Sequence, residues 1–224
     1  MVTARSQRVP LQHLTGRAAF GPVTLRVGPG VFIPRPETEA LLEWACAQPL
    51  PARPLIVDLC TGSGALALAL ARHRPDARVL GIDDSPTALN YARENCAGSA
   101  VELLCADVTI PGLRPDLDGR VDLVVANPPY VPEGVRLAPE VRAHDPGHAL
   151  FGGPHGMTVV AAVTGLAGRW LRPGGLFAVE HDETTSARAV ELLTGTGIFN
   201  QISAHRDLAD RPRFVTARKE ERRL

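Results

Sequence analysis

"PLIVDLCTGSGALALALARH", residues 54–73, runs from a β-branched apolar stretch through a glycine loop into a segment of helical character. A strand that turns through glycines into a helix is the opening unit of a parallel α/β sheet. Glycine lets the backbone approach a ligand closely, and the first turn of the following helix offers unpaired N–H groups. The loop, Thr61-Gly62-Ser63-Gly64, is not a phosphate-binding P-loop, because no Lys-Ser/Thr follows the second glycine. It also lacks full G-x-G-x-x-G spacing, since Leu66 and Ala67 stand where a third glycine would fall.

Outward from this unit, strand and helix alternate. Strands are expected at 77–83, 100–107, 120–127 and 176–181, the last set off by a "PGG" turn. Helices are expected at 85–96, 156–171 and 185–197, the first with Ser85 as N-cap and Pro86 in its first turn. "NQISAHRD" and "RFVTAR" read as a closing pair of strands. The pattern predicts a doubly wound α/β fold, mostly parallel, with helices on both faces. Residues 1–50 differ: "GRAAFGPVTLRVGPG" places a Gly21-Pro22 turn between two short extended runs, a β-hairpin arm, and "FIPRPETEALLEWA" leads into a helix from about Thr38 to Ala47. The expected division is an arm at 1–50, a main domain at 51–219 and a charged, solvated tail at 220–224.

Ligands in such sheets sit beyond the carboxyl ends of the strands. Asp83 ends the second strand about 20 residues past the glycine loop, where a carboxylate can accept both hydroxyls of a ribose, with Asp84 beside it. Asp107 follows the third strand, placed to accept from an adenine amino group. Either aspartate alone would read as a turn or helix cap. Three successive strand ends with suitable groups point to a nucleoside ligand.

The fourth strand ends in "VVANPPYVP", residues 124–132. Pro128 and Pro129 fix their own φ and carry no N–H, and Pro128 keeps Asn127 out of the helical region. Asn127 is thus held extended at the strand end, with rigid acceptors and the ring of Tyr130 after it. An Asn-Pro turn is the bland alternative.

Bulk properties narrow the class. The chain has 224 residues, 45% of them hydrophobic, enough for a sizeable core. Lys+Arg and Asp+Glu both count 24, which gives no basic excess of the kind that grips a nucleic-acid backbone. The sequence pI is about 7.1. Cys46, Cys60, Cys96 and Cys105 form no C-x-x-C pair, as expected of reduced thiols in the cytoplasm. No apolar stretch is long enough to span a membrane, and "MVTARSQRVP" has no secretory apolar core.

The set "DLCTGSG", "GID", "AD" and "NPPY" is similar to class I S-adenosylmethionine-dependent methyltransferases that modify nitrogens on planar groups. With "VPLQHLTGRAAF", "FIPRPETE", "HDPGHALFGGPHGM", "RPGGLFAVEH" and "DLADRPRFVTAR", the chain from about Val9 to Arg218 resembles the peptide-chain release factor glutamine methyltransferases. The resemblance implies a seven-stranded Rossmann-like sheet, S-adenosylmethionine as cofactor, and the Gly-Gly-Gln glutamine of release factors as substrate. It also implies that Phe32, Pro34, Arg35, Pro36 and Glu37 line or close the cofactor side of the crevice. The cofactor set is completed by Thr61, Gly62, Ser63, Gly64, Asp83, Asp84, Asp107, Val108 and Asn127. Glu37 reads equally well as part of an exposed first turn, and Thr38 as the cap of the helix that buries Leu41 and Leu42. The family carries a helical domain ahead of the "LTG" segment, and here "MVTARSQR" stands there. Cys60 occupies the position of the family's first loop glycine, and Val108 that of an aromatic in some members.

The catalytic set is Asn127, Pro128, Pro129 and Tyr130. An amide nitrogen is a poor nucleophile because its lone pair is delocalised, so it must be held in line with its hydrogens engaged. The Asn127 side-chain oxygen and the Pro128 carbonyl can each accept one N–H, favouring the charge that builds during transfer, while Tyr130 packs on the flat amide. The transfer requires no metal. His144, His148 and His155 read as a polar loop ahead of a metal site, Glu180-His181 as a strand end with a satisfied histidine, and Cys60 and Cys105 as buried thiols. Competing readings are methylation of another protein glutamine, such as one in a ribosomal protein, a nucleic-acid base methylase, and an inactive cofactor-binding module.

Overall fold

A computed structural model describes residues 2–221, so residues 222–224 of the charged tail lie outside the described residues. The strand that leads into the glycine loop, β3 (Leu55–Leu59), lies in the middle of a seven-stranded sheet. The other strands of that sheet are β4 (Arg78–Asp83), β5 (Val101–Cys105), β6 (Val121–Ala126), β7 (Leu171–Glu180), β8 (Phe199–Arg206) and β9 (Pro212–Lys219), with the hairpin β1 (Arg17–Phe20) and β2 (Val23–Arg26) separate. The order is β5-β4-β3-β6-β7-β9-β8. Pairing is parallel from β5 to β7, and β9 runs antiparallel to both β7 and β8. Strand order reverses between β3 and β6, which opens a crevice at their carboxyl ends.

Helices α1 (Val2–Ser6), α2 (Leu11–Thr15), α3 (Glu39–Ala47), α4 (Ala65–His73), α5 (Pro86–Asn95), α6 (Pro139–His144), α7 (Thr158–Trp170) and α8 (Ser186–Gly195) complete the chain. β6 is buried at every position, and a strand covered on both faces is continuously apolar rather than alternating. Its exception, Asp122, accepts the Leu55 N–H at 2.8 Å and pairs with Arg172 Nε at 2.5 Å. One core face joins α3 and α4 to the arm through Phe20, Leu25, Leu41 and Leu70; the other joins α7 and α8 through Trp170, Phe177 and Leu193.

Ser85 caps α5 as expected, its Oγ accepting the Ala88 N–H at 3.2 Å with Pro86 at the first position. The hairpin turns at Gly21-Pro22, between paired Phe20 and Val23, with Gly21 at φ +46°. Its apolar side packs into the core, and the Asn95 side chain bonds both Arg26 backbone groups and the Ser63 carbonyl. Arm, α5 and glycine loop are therefore tied by one amide.

Two local expectations need correction. β7 begins at Leu171, not 176: Val121 pairs with Leu171 and Leu123 with Leu176, so the proline and glycines form an irregularity inside the strand. Gly175 permits it, because a Cβ there would sit 3.0 Å from the Val121 and Arg172 carbonyls. Thr38 does not cap α3. A 3₁₀ turn at Pro36–Thr38 precedes the helix, and Thr38 has helical φ/ψ and no capping bond. Its hydroxyl is turned instead toward Asn127.

Candidate active site

A cavity of about 570 Å³ occupies the crevice. Thr61, Gly62 and Ser63 line it. Gly62 takes φ +56°, with open space where a Cβ would stand. Gly64 does not line it; at φ +83° it heads α4, and a Cβ would meet Cys96 Sγ at 3.0 Å. Cys60 holds φ +60°, a left-handed conformation that strains a residue with a Cβ and that glycine adopts freely.

Asp83 does two jobs at once. Its Oδ2 accepts the Gly62 N–H at 2.8 Å and Oδ1 the Ser85 N–H at 3.0 Å, so it braces the loop and the turn into α5. Each carboxylate oxygen retains a further lone pair for a ligand hydroxyl, and both Asp83 and Asp84 line the cavity. Asp83→Ala is expected to weaken cofactor binding by roughly 1–3 kcal/mol, as when a buried polar partner is lost. Calorimetry showing unchanged affinity would remove Asp83 from the binding site.

Asp107 and Val108 also line the cavity, in the loop past Cys105 where β5 stops. Asp107 Oδ1 accepts from the Thr109 N–H and hydroxyl at 2.8 and 2.7 Å, which holds its carboxyl below the usual range. Burial, joined by Asp83, Asp58, Asp84 and Asp107, pushes the Cys60 thiol well up and keeps it protonated. The crevice is electrically negative and suits a cation. Cys105, expected to be buried, is exposed, because β5 is an edge strand.

Sequence reasoning missed Asp58. It is 1% exposed and lines the cavity; Oδ2 accepts the Thr61 hydroxyl at 2.6 Å and the Ala67 N–H at 3.1 Å. Its Oδ1, like Ser63 Oγ, has no hydrogen-bond partner among the described residues. A buried orphan acceptor facing a cavity is built for a ligand donor. Its position inside an apolar strand run hid it in the sequence. Burial pushes its carboxyl up to about 7. Ligand-free, the folded state then binds this proton more tightly than the unfolded chain. Stability should fall as pH rises from the ordinary carboxylate range to about 7. Asp58→Asn should flatten that part of the curve in denaturant titrations; an unchanged slope would refute the assignment.

Phe32, Pro34, Arg35, Glu37 and Thr38 line the cavity, whereas Pro36 is exposed and does not. The Arg35 guanidinium lies 4.8 Å from the Phe32 ring centroid and pairs with the buried carboxylate of Asp145, joining the two lips of the crevice.

Asn127, Pro128, Pro129 and Tyr130 line the same cavity. Asn127 Nδ2 donates to Thr38 Oγ1 at 3.1 Å, which leaves its oxygen free to accept. Among the described residues no donor is bonded to the Pro128 carbonyl. Behind them, the Val131 N–H donates to the Leu150 carbonyl and the Gly152 N–H to the Val131 carbonyl. A Cβ on Gly152 would stand 2.4 Å from the Pro129 oxygen, and one on Gly156 2.1 Å from the Tyr130 oxygen. These two glycines, whose role was not read from the sequence, let the loop after α6 press on the acceptor segment.

Glu180 is fully buried below this segment, its Oε2 3.5 Å from Tyr130 Oη. Burial pushes its carboxyl up to about 8, against the Thr38 hydroxyl and Arg213. His181 is buried too; Nδ1 meets the Asp182 carbonyl at 2.9 Å, while Nε2 lacks a partner among the described residues. His148 lines the cavity, His144 lies edge-on to His13, and His155 is exposed. Among the described residues no three His, Cys, Asp or Glu side chains are grouped to hold a metal, and no helix is long and apolar enough to cross a membrane.

Residues 27–141 match the family described as "Methyltransferase small domain". The fold is also that of a precorrin-6y C5,15-methyltransferase from Geobacter metallireducens, at TM-score 0.55 and 16% identity over 84% of this chain and 90% of that one. A glycine loop and acidic strand ends on this sheet define a methyltransferase. The chain is 68% identical, over 97% of its length and 73% of the relative's, to the release factor glutamine methyltransferase of Mycobacterium tuberculosis. It is 67% identical to that of Mycolicibacterium smegmatis, over 97% and 77%. The chain belongs to the release factor glutamine methyltransferase family.

Proposed function

We propose that this protein methylates N5 of the glutamine in the Gly-Gly-Gln motif of peptide-chain release factors, in the cytoplasm, using S-adenosylmethionine. The cofactor supplies a methyl group on a sulfonium sulfur and leaves as neutral S-adenosylhomocysteine, while the amide nitrogen gains the methyl and sheds a proton. The observation that carries this reading is the Asn127 amide, fixed by Thr38 with its oxygen free, on a cavity whose other wall is acidic.

Thr61, Gly62 and Ser63 would cradle the amino-acid end, with the orphan Asp58 Oδ1 accepting from its ammonium. Asp83 and Asp84 would hold the ribose, and Asp107 and Val108 the adenine. Asn127 and the Pro128 carbonyl would take the two N–H groups of the glutamine amide, and Tyr130 would pack on its plane. Phe32, Pro34 and Arg35 would exclude water from the cofactor side. Residues 51–219 form the catalytic domain in this reading and 1–50 its supporting arm.

Mass spectrometry of a purified release factor, after incubation with the protein and S-adenosylmethionine, tests it. A gain of one methyl on the Gly-Gly-Gln glutamine is expected. No gain, with cofactor binding shown in parallel, would reject release factors as the substrate.

A further inference from the structure

Between the acceptor segment and α7 the chain makes a loop whose two feet are bonded to each other. The Val131 N–H donates to the Leu150 carbonyl at 2.8 Å, and the Glu133 N–H to the Gly153 carbonyl at 3.1 Å. Residues 134–149 thus form a compact surface loop with its ends together, a kind often used for function. Its own backbone bonds are local: the Arg142 N–H donates to the Ala138 carbonyl and the Asp145 N–H to that of Val141. Its helix, α6, buries no residue. Yet Leu137, Val141, Pro146, His148 and Ala149 all line the crevice, as Phe32 and Arg35 do from the other lip. The loop covers the cavity without being part of the core.

Two ion pairs hold this loop to the N-terminal part of the chain. Arg5 meets Glu140 at 3.0 Å with side chains 48% and 34% exposed, so solvent screens the pair and it contributes little. Arg35 meets Asp145, whose side chain is only 2% exposed. Asp145 Oδ1 has no hydrogen-bond partner among the described residues, so the carboxylate depends on Arg35. Removing one member of such a pair leaves the other charge buried and uncompensated. An outward movement of the loop relieves that by hydration. Asp145 itself does not line the cavity.

We propose that residues 134–149 are a gate over the cofactor and that Asp145, paired with Arg35, is its latch. Asp145 is then a positioning residue that sets how often the crevice opens, not how tightly it binds. The proposal rests on the reading that the crevice holds S-adenosylmethionine. Gly134, at φ +84° with open space where a Cβ would stand, leaves the first foot free to swing. Closed, the loop keeps water from the reacting groups. Open, it lets spent S-adenosylhomocysteine leave and fresh cofactor enter, a step that limits turnover in many enzymes. Because Asp145 does not line the cavity, a weaker latch should speed entry and exit by one common factor and leave their ratio, the affinity, unchanged.

The test measures association and dissociation rates of S-adenosylhomocysteine with the whole protein. Asp145→Asn keeps size and removes the charge, so both rates should rise on the order of 10-fold, the scale for losing a hydrogen bond between charged groups. The equilibrium affinity should hold within roughly twofold, because no ligand contact is removed. Glu140→Gln, at the exposed pair, should leave both rates as they are. A second readout needs no ligand: in Asp145→Asn the α6 amides should exchange hydrogen on the order of 10-fold faster, while those of α5 hold. General destabilisation would move both helices. Should S-adenosylhomocysteine fail to bind the wild type, the cofactor reading fails, and amide exchange alone decides the latch. Wild-type rates in Asp145→Asn, α6 amides that exchange no faster, or an affinity lost through dissociation alone would overturn the proposal.

Discussion

Asn127→Ala is expected to fold, to bind S-adenosylmethionine, and to lose on the order of 10²–10³ in methylation rate, as for removal of one positioned polar group in a water-excluded site. The argument is local. Asn127 follows directly on a strand that is buried at every position, so its backbone is fixed by β6 and by Pro128 after it. Truncation removes an acceptor without opening a core cavity, because Asn127 is only partly buried and lines the crevice. Single-turnover rates with a purified release factor separate this from a binding defect. A variant that methylates at the wild-type rate would remove Asn127 from the acceptor role.

Gly156→Ala should have an effect of similar size by a different route. Its Cβ would stand 2.1 Å from the Tyr130 carbonyl oxygen, and the residue already sits at φ +69°. The atom in the way is backbone, so the whole segment from Asn127 to Tyr130 must move. A displacement near 1 Å at a reacting centre costs roughly 10²-fold in rate. The left-handed φ adds roughly 1–2 kcal/mol of destabilisation. Gly165→Ala in α7, where a Cβ meets nothing within 4 Å, serves as the control and should gain roughly 0.5–1 kcal/mol. Denaturant titration and single-turnover kinetics read both effects. Wild-type kinetics in Gly156→Ala would mean that the loop does not position the acceptor segment.

The paired glycines show where sequence reading stops. "GGPHG" has the composition of a flexible turn. Only the fold reveals that two of its glycines touch the carbonyls of residues more than twenty positions earlier in the chain. Thr38 shows the same limit: a threonine just before a helix reads as a cap, but the 3₁₀ turn at Pro36 rotates it away from the helix N–H groups and toward Asn127. Cys105 read as buried because apolar strands usually are; β5 happens to be the edge of the sheet.

The sequence by itself determined the alternation of strands and helices, the parallel sheet, the glycine loop, and the candidate acids at successive strand ends. Those features depend on residues near in sequence, through propensity, capping and the fixed φ of proline. Tertiary structure alone decided which acids stay unpaired, which glycines are there for contact rather than flexibility, and which buried carboxyl stands beside Tyr130. Burial and hydrogen-bond partnership depend on what other segments bring to a position. Asp58 and Glu180 lie on separate strands, and each acquires its raised proton affinity from the residues folded around it.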